Sequence, residues 1–413
     1  MKHVLFLSYD GMTDPLGQSQ VIPYLKGLTS AGYRFTILSC DKPSNYAEGK
    51  DQVFSSLRGF PINWVSIPYH KDPPVLSSIF DLIKMRKAAA EIHRKDTVHM
   101  VHTRPGIPPM VALWMKKKFG VRFVNDIRGF WADERVDGGM WNLQNPVFKM
   151  IYKFFRKEED KSLRAADHNI CLTYAAKKII HSWKHIPKQP VPLTVIPCSA
   201  DLQLFNPDKV STSVRDKWRV QLGIPHTATV FTYLGSIGGW YLTDEMMSFC
   251  AIAAKEFPAA HFLFISPHRH SEIKDRAAKH GVPENRMHVV RAQREEVATV
   301  LSLSHFSFFF IKPCFSKLSS SPTKHGEIMA MGIPVITNSG VGDVAEIVEN
   351  FDAGFVIDNF TTEEFQRVIR EIKAGKGFDL NNIRFGAKEF YGLENAVKSY
   401  REVYDRVFRG TDA

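Results

Sequence analysis

The stretch from Ser316 to Glu349, SKLSSSPTKHGEIMAMGIPVITNSGVGDVAEIVE, constrains this chain more than any other. A polar loop, Ser319-Ser320-Ser321-Pro322-Thr323-Lys324, precedes a helix expected over residues 325–331 and stopped by Gly332. A short apolar strand, Pro334 to Thr337, follows, then a glycine-spaced turn at Gly340 and Gly342, and a second helix. Loop, helix, strand, loop, helix is a fragment of a parallel α/β sheet. Ser321 or Thr323 is the expected cap, which leaves backbone N–H groups facing the loop as a site for anions. Lys324 adds a full positive charge there, and Glu327 is expected on the first helical turn.

The same alternation runs through the rest of the chain. His3 to Tyr9 reads as a buried strand, residues 10–19 as a loop holding Gly11 and Gly17, residues 21–31 as a helix ended by Gly32, and Phe35 to Ser39 as a second strand. This order opens a Rossmann-like half, but no G-x-G-x-x-G accompanies it, so no dinucleotide cofactor is indicated. Strands at 64–67, 98–102 and 121–125 alternate with basic helices at 77–93 and 145–163. Ligands in such sheets bind at the carboxyl ends of the strands. His102 and Arg104, at the end of the 98–102 strand, are therefore expected to face a cleft. After Pro207 the pattern restarts, with a strand at 229–234, the glycine turn Gly235-Ser236-Ile237-Gly238-Gly239-Trp240-Tyr241, a helix at 244–257 and strands at 261–266, 287–290 and 306–311. Gly238 and Gly239 allow a phosphate to approach the backbone closely.

Composition agrees with two α/β domains: 413 residues, 44% of them hydrophobic and 23% charged. The five cysteines (Cys40, Cys171, Cys198, Cys250, Cys314) have no CxxC spacing, which argues for a reducing compartment and against a zinc site. His181 and His185 are four apart but lack the glutamate of a zincin, and there is no Asp-x-Asp, so no metal is expected. No apolar run approaches the roughly 20 residues that span a bilayer, and a cytoplasmic protein is expected. Net charge is +11, and basic clusters at 84–87, 94–95, 116–118 and 149–157 all precede residue 165. They are either solvated helix faces or a surface for an anionic membrane or acceptor. No nucleic-acid-binding motif accompanies them.

Lys324, Glu327, Met329-Ala330, Gly332, Pro334-Val335-Ile336 and Glu346 resemble the signature of the retaining family 4 glycosyltransferases of the GT-B fold. Residues 165–205 and 320–357 carry the resemblance most specifically. It implies two Rossmann-like domains facing across a cleft: an acceptor-side domain over 1–205 and a nucleotide-sugar domain over 206–392. The segment 393–413 would pack back on the first. It further implies that Glu327 binds the donor ribose and that Ser320, Ser321, Thr323 and Lys324 line the donor. Arg291 would stand near the base, and Gly17, beside Gln18, where the family has paired glycines near the diphosphate. Arg128, where many members carry His, would line the reacting sugar with Trp131 and Asp133. Arg128, Asp133 and Lys324 are the implied catalytic residues, and His102, Arg104, Arg128 and Trp131 the acceptor side.

The chain departs from the family pattern in two places. Ser319 stands where the first of two glutamates is usual, and the turn 235–242 lacks the Arg and Lys that usually hold the diphosphate. A leaving diphosphate without counter-charge is costly, and Lys324 is the expected substitute. The implied function is metal-independent, cofactor-free transfer of a sugar from a UDP- or GDP-linked donor, with retention, to a glycan or lipid-linked acceptor in polysaccharide or glycolipid synthesis, with a peripheral place on the inner face of the plasma membrane as a further expectation. Another GT-B enzyme, such as a nucleotide-sugar 2-epimerase, or a non-catalytic nucleotide-sugar-binding subunit, stays open.

Overall fold

A computed structural model describes residues 1–73 and 76–410. The chain forms two compact units: Met1–Cys198 together with the segment from Leu393, and Ser199–Gly392. The second unit thus begins ahead of the break expected at 205.

The first unit is built on a seven-stranded parallel sheet: β1 (Lys2–Ser8), β2 (Tyr33–Asp41), β3 (Ile62–Pro68), β4 (Met100–Thr103), β5 (Arg122–Asp126), β6 (His168–Cys171) and β7 (Leu193–Val195), in the order β3-β2-β1-β4-β5-β6-β7. Side chains alternate across a strand, and the two faces show it. Val4 and Phe6 enter one core with Phe35, Ile37 and Val124, whereas Leu5 and Leu7 enter the other with Leu38, Val101 and Phe123. The first of these cores is closed by the last helix, Leu393–Arg409, through Ala396, Tyr400, Val403, Tyr404 and Val407. Its apolar residues recur at three and four positions, the period of one helix face.

The second unit repeats the plan with six parallel strands: β8 (Thr229–Leu234), β9 (Ala260–Ile265), β10 (Met287–Val290), β11 (Phe306–Phe308), β12 (Val335–Asn338) and β13 (Gly354–Ile357), ordered β10-β9-β8-β11-β12-β13. Strand order reverses between β1 and β4 and between β8 and β11, and the loops leaving these strands border the crevice where such sheets take ligands.

Several local expectations are corrected. The helix expected over 21–31 is Ile22–Thr29, but the loop expected over 10–19 holds a further helix, Pro15–Gln20, separated from it by Val21 at φ −129° and ψ −65°. Gly17 therefore lies in a helix, not a loop. The strand expected over 306–311 ends at Phe308; beyond it Asn338 bonds both the N–H and the carbonyl of Ile311, so a side chain takes over from the ladder.

Candidate functional site

The helix Thr323–Ala330 organises the site in the second unit. It starts two residues earlier than expected. Its N-cap is Pro322, with φ −69°, and no side chain caps it, so neither Ser321 nor Thr323 is the cap. Glu327 consequently stands on the second turn. From Lys324 to Ala330 every residue is buried. Gly326 permits this, since a Cβ there would meet the Tyr391 ring at 2.5 Å.

Lys324 reaches from this helix to the glycine turn after β8. Its Nζ donates to the Tyr233 hydroxyl at 3.2 Å and lies 3.7 Å from the centre of the Tyr241 ring. A Cβ on Gly235 would stand 2.8 Å from Nζ, so only glycine leaves the ammonium its place. Burial pulls the amine down to about 7, against the pull of Glu327 in the other direction. An amine so held is poised to gain a proton, and its charge, when an anion arrives.

The turn itself is set by Gly238 and Gly239, with φ +77° and +62°, which favour glycine. A second cation closes on it. Arg269, at φ +63° before the helix His270–Lys279, donates from Nη1 to the Ile237 carbonyl at 3.0 Å, and a Cβ on Gly238 would lie 2.7 Å from that nitrogen. The turn that carries no cation in sequence thus has Lys324 and Arg269 beside it. Lys317 lies 3.7 Å from the Trp240 ring, its carbonyl accepting from the Gly342 N–H.

Glu327 is engaged by Arg294, whose Nη1 lies 2.7 Å from Oε1 while its guanidinium covers the Phe205 ring. Burial pushes the carboxyl up, and Arg294 and Lys324 oppose this. Arg291, expected near the base, is exposed. Arg294 and Arg269 were missed by the sequence reading: nothing in the local spacing distinguishes Arg294 from Arg291, and Arg269 is remote in sequence from the turn it serves. Ser319, in place of the family's first glutamate, donates its hydroxyl to the Ser316 carbonyl at 2.6 Å.

In the first unit the expected residues divide into two groups. His102 and Arg104 are buried, at 2% and 4% exposure, and His102 lies in the core instead of opening from the strand end. Its Nδ1 is 2.6 Å from the Tyr404 hydroxyl and its Nε2 3.7 Å from Asp126, because the last helix covers this end of β4. Burial holds the imidazole below its usual range, although Asp126 pulls it up. Arg128, at φ +54°, reaches Gln20 and Tyr400 and lies 3.8 Å from Asp126, which accepts from Tyr400 at 2.9 Å. Burial alone would raise Asp126, but Arg128, His102 and Arg104 together hold it low. A non-glycine residue in this backbone region costs about 1–3 kcal/mol and persists where its surroundings over-determine it.

The second group centres on Trp131. The Arg135 guanidinium stands 3.3 Å from the Trp131 ring centre, and Phe155 and Trp141 pack against the same ring. Asp133 accepts from the Tyr152 hydroxyl at 2.7 Å and lies 3.3 Å from Arg156. Arg156 also holds Glu159, so it belongs to an internal network, not to the basic surface expected at 149–157. Gly17 has a packing reason of its own: a Cβ would meet the Gly11 carbonyl at 2.5 Å.

Residues 214–388 match the family model of glycosyl transferases group 1, and residues 19–204 that of glycosyltransferase family 4. In a sequence comparison with curated proteins nothing matched. Among solved structures the chain is similar to a glycosyltransferase from Rickettsia africae, at 16% identity and a TM-score of 0.72, covering 99% of each chain. It is also similar to Anabaena HepE in complex with UDP-glucose, at 13% identity and a TM-score of 0.70, covering 98% of this chain and 100% of that one. A third is WaaG, described as a glycosyltransferase involved in lipopolysaccharide biosynthesis, at 13% identity and a TM-score of 0.66, covering 97% and 99%. The chain thus carries a glycosyltransferase family 4 match on its first unit and a glycosyl transferases group 1 match on its second, and it has the GT-B fold of these neighbours over its whole length.

Proposed function

We propose that this glycosyltransferase moves a sugar from a UDP- or GDP-linked donor to a hydroxyl of a glycan or lipid-linked acceptor, with retention and without a metal ion or cofactor. One observation carries the donor assignment: Lys324 is buried at a glycine turn, beside a helix N-terminus and one turn from Glu327. A diphosphate on that turn meets Lys324, Arg269 and the Gly239 N–H, the Gly238 N–H being held by Thr243 Oγ1 at 3.1 Å, and Glu327 takes the ribose hydroxyls. In this reading the charge of the leaving group falls to these fixed donors. HepE was solved with UDP-glucose, which makes a uridine donor the first to test.

Retention follows from a displacement on the face from which the donor leaves. The bond from the anomeric carbon to the phosphate oxygen breaks as the acceptor oxygen bonds the same face, and the acceptor's proton passes to the departing phosphate. The first unit takes the acceptor, with Arg128, Trp131 and Asp133 toward the reacting sugar. We place the reaction in polysaccharide or glycolipid synthesis at the cytoplasmic membrane face. Among the described residues no helix is long and apolar enough to cross a membrane.

A panel of UDP- and GDP-sugars, screened by thermal shift and then by release of nucleoside diphosphate, tests the reading, since a tight donor raises the melting temperature by mass action. One donor should both stabilise the chain and be turned over, faster with acceptor. Stabilisation with no release under any acceptor supports a non-catalytic binding subunit, the alternative favoured by Ser319. Epimerised free sugar as the product supports an epimerase.

A further inference from the structure

The helix Leu76–Lys95 has two unlike faces. Ser77, Asp81, Met85 and Ala89, each four residues on, are buried. Leu76, Ile79, Phe80 and Ile83 point the other way and are between 47% and 64% exposed. Single exposed apolar residues are ordinary, but four large ones at i, i+3, i+4 and i+7 form one stripe. The stripe continues into positive charge. The Lys84 ammonium lies 4.3 Å from the Phe80 ring centre, and Lys87 is exposed one turn beyond Ile83. The acid within this stretch, Asp81, is on the buried face, where it accepts from Tyr9.

A second helix repeats the arrangement. Pro146–Ala165 exposes Val147, Met150 and Phe154 along one side, with exposed Lys149, Lys153 and Lys157 between them and no acid before Glu158. Both helices pack beside the helix Pro108–Phe119, on the same face of the seven-stranded sheet. Each stripe occupies the N-terminal half of a helix that follows a parallel strand, so both stripes lie toward the carboxyl edge of that sheet.

We propose that these two stripes form a membrane-docking face for an anionic lipid bilayer. The apolar side chains enter the boundary between headgroups and acyl chains, and the lysines extend to the anionic headgroups. Charge decides the occupant. A second copy of this chain also carries +11 and would set lysines against lysines, whereas an anionic bilayer complements both stripes. The inference deepens the reading of a lipid-linked acceptor and rests on it only for what the docking serves.

The test is co-sedimentation of the full chain with phosphatidylcholine vesicles, with and without about one part in four of phosphatidylglycerol. Wild type should bind only the anionic vesicles and release as salt is added. Ile79→Ser with Ile83→Ser should weaken binding at least about tenfold at every salt concentration, the cost of two lost apolar insertions. Lys149→Glu with Lys153→Glu should remove most of the salt-sensitive part. Both pairs are exposed, so melting temperature and donor turnover in solution should not change. Wild type ignoring anionic vesicles at low salt overturns the proposal, as does wild-type binding by the Ile79/Ile83 pair. A lipid-free dimer that this pair converts to monomers overturns it too, in favour of a second copy as occupant. Failure here leaves turnover in solution intact, which separates it from a failure of the transfer reading.

Discussion

The Lys324 ammonium occupies the space a side chain on Gly235 would need: Nζ lies 2.8 Å from where a Cβ would stand. Gly235 is also at φ +120°, a second reason for glycine. The helix and the turn thus meet through one cation and one missing side chain. Gly235→Ala should displace the amine and lower affinity for nucleoside diphosphate much more than for the bare nucleoside. An equal loss on both ligands would place Lys324 away from the phosphates.

Donor binding should take up a proton. Burial pulls Lys324 down to about 7, so at pH 8 the free amine is mostly neutral. An arriving diphosphate favours its charged form, and uptake should approach about one proton. Titration calorimetry in buffers of different ionisation enthalpy measures this. The heat should depend on the buffer for wild type and not for Lys324→Met; buffer-independent heat in wild type rules the linkage out.

Stability should follow the same group with a defined sign. The folded value of Lys324 lies below its ordinary 10.5, so between about pH 7 and 10.5 the unfolded chain binds the extra proton. Its contribution to stability therefore rises with pH through that window, by up to about 1.4 kcal/mol per pH unit. Below pH 7 the full cost of burying the charge is present. In urea melts across this window, Lys324→Met should be more stable than wild type at pH 7 and lose that advantage toward pH 10; a constant difference would contradict the burial argument.

Glu327 and Arg294 should separate into ligand contact and gate. Glu327→Gln should weaken donor binding by about 1.5–3 kcal/mol, the value of charge-assisted hydrogen bonds. Arg294→Ala removes a partner that competes with the ribose for the same carboxylate, and should weaken binding less than Glu327→Gln or strengthen it. Unchanged nucleotide affinity in Glu327→Gln would remove Glu327 from the ribose site.

Arg269 should matter through the diphosphate. Arg269→Ala should lower affinity for nucleoside diphosphate, with the loss shrinking as salt is raised, because the side chain is half exposed and screened. Arg269→Lys should recover part of it. Loss of equal size for the nucleoside would make Arg269 a brace for the turn alone.

The tyrosines of the last helix should report on the first unit. Tyr400→Phe leaves buried Asp126 without its 2.9 Å donor and Arg128 without one of its acceptors. It should destabilise the chain by about 1–3 kcal/mol in urea melts.

The repeat of strand, glycine turn and helix was legible because strand burial and helix periodicity are written locally, in runs such as Val4 to Leu7 and Phe262 to Ile265. Gly238, Gly239 and Gly332 announced their turns for the same reason: positive φ is a property of one residue. The site was legible where one segment carries it, as with Lys324 and Glu327. Tertiary structure decided the rest. Arg269 reaches Gly238 across 31 residues of sequence, and Arg294 reaches Glu327 across 33. His102 was placed at a strand end by sequence, but Tyr404 of a helix that joins the first unit from the chain's end buries it. The helix expected over 77–93 reads in sequence as basic, and only the packing of Met85 and Ala89 shows that Leu76, Ile79, Phe80 and Ile83 lie on the face left outside. Local sequence sets backbone geometry and periodicity, whereas charge partners and exposed faces depend on which distant segments fill the neighbouring space.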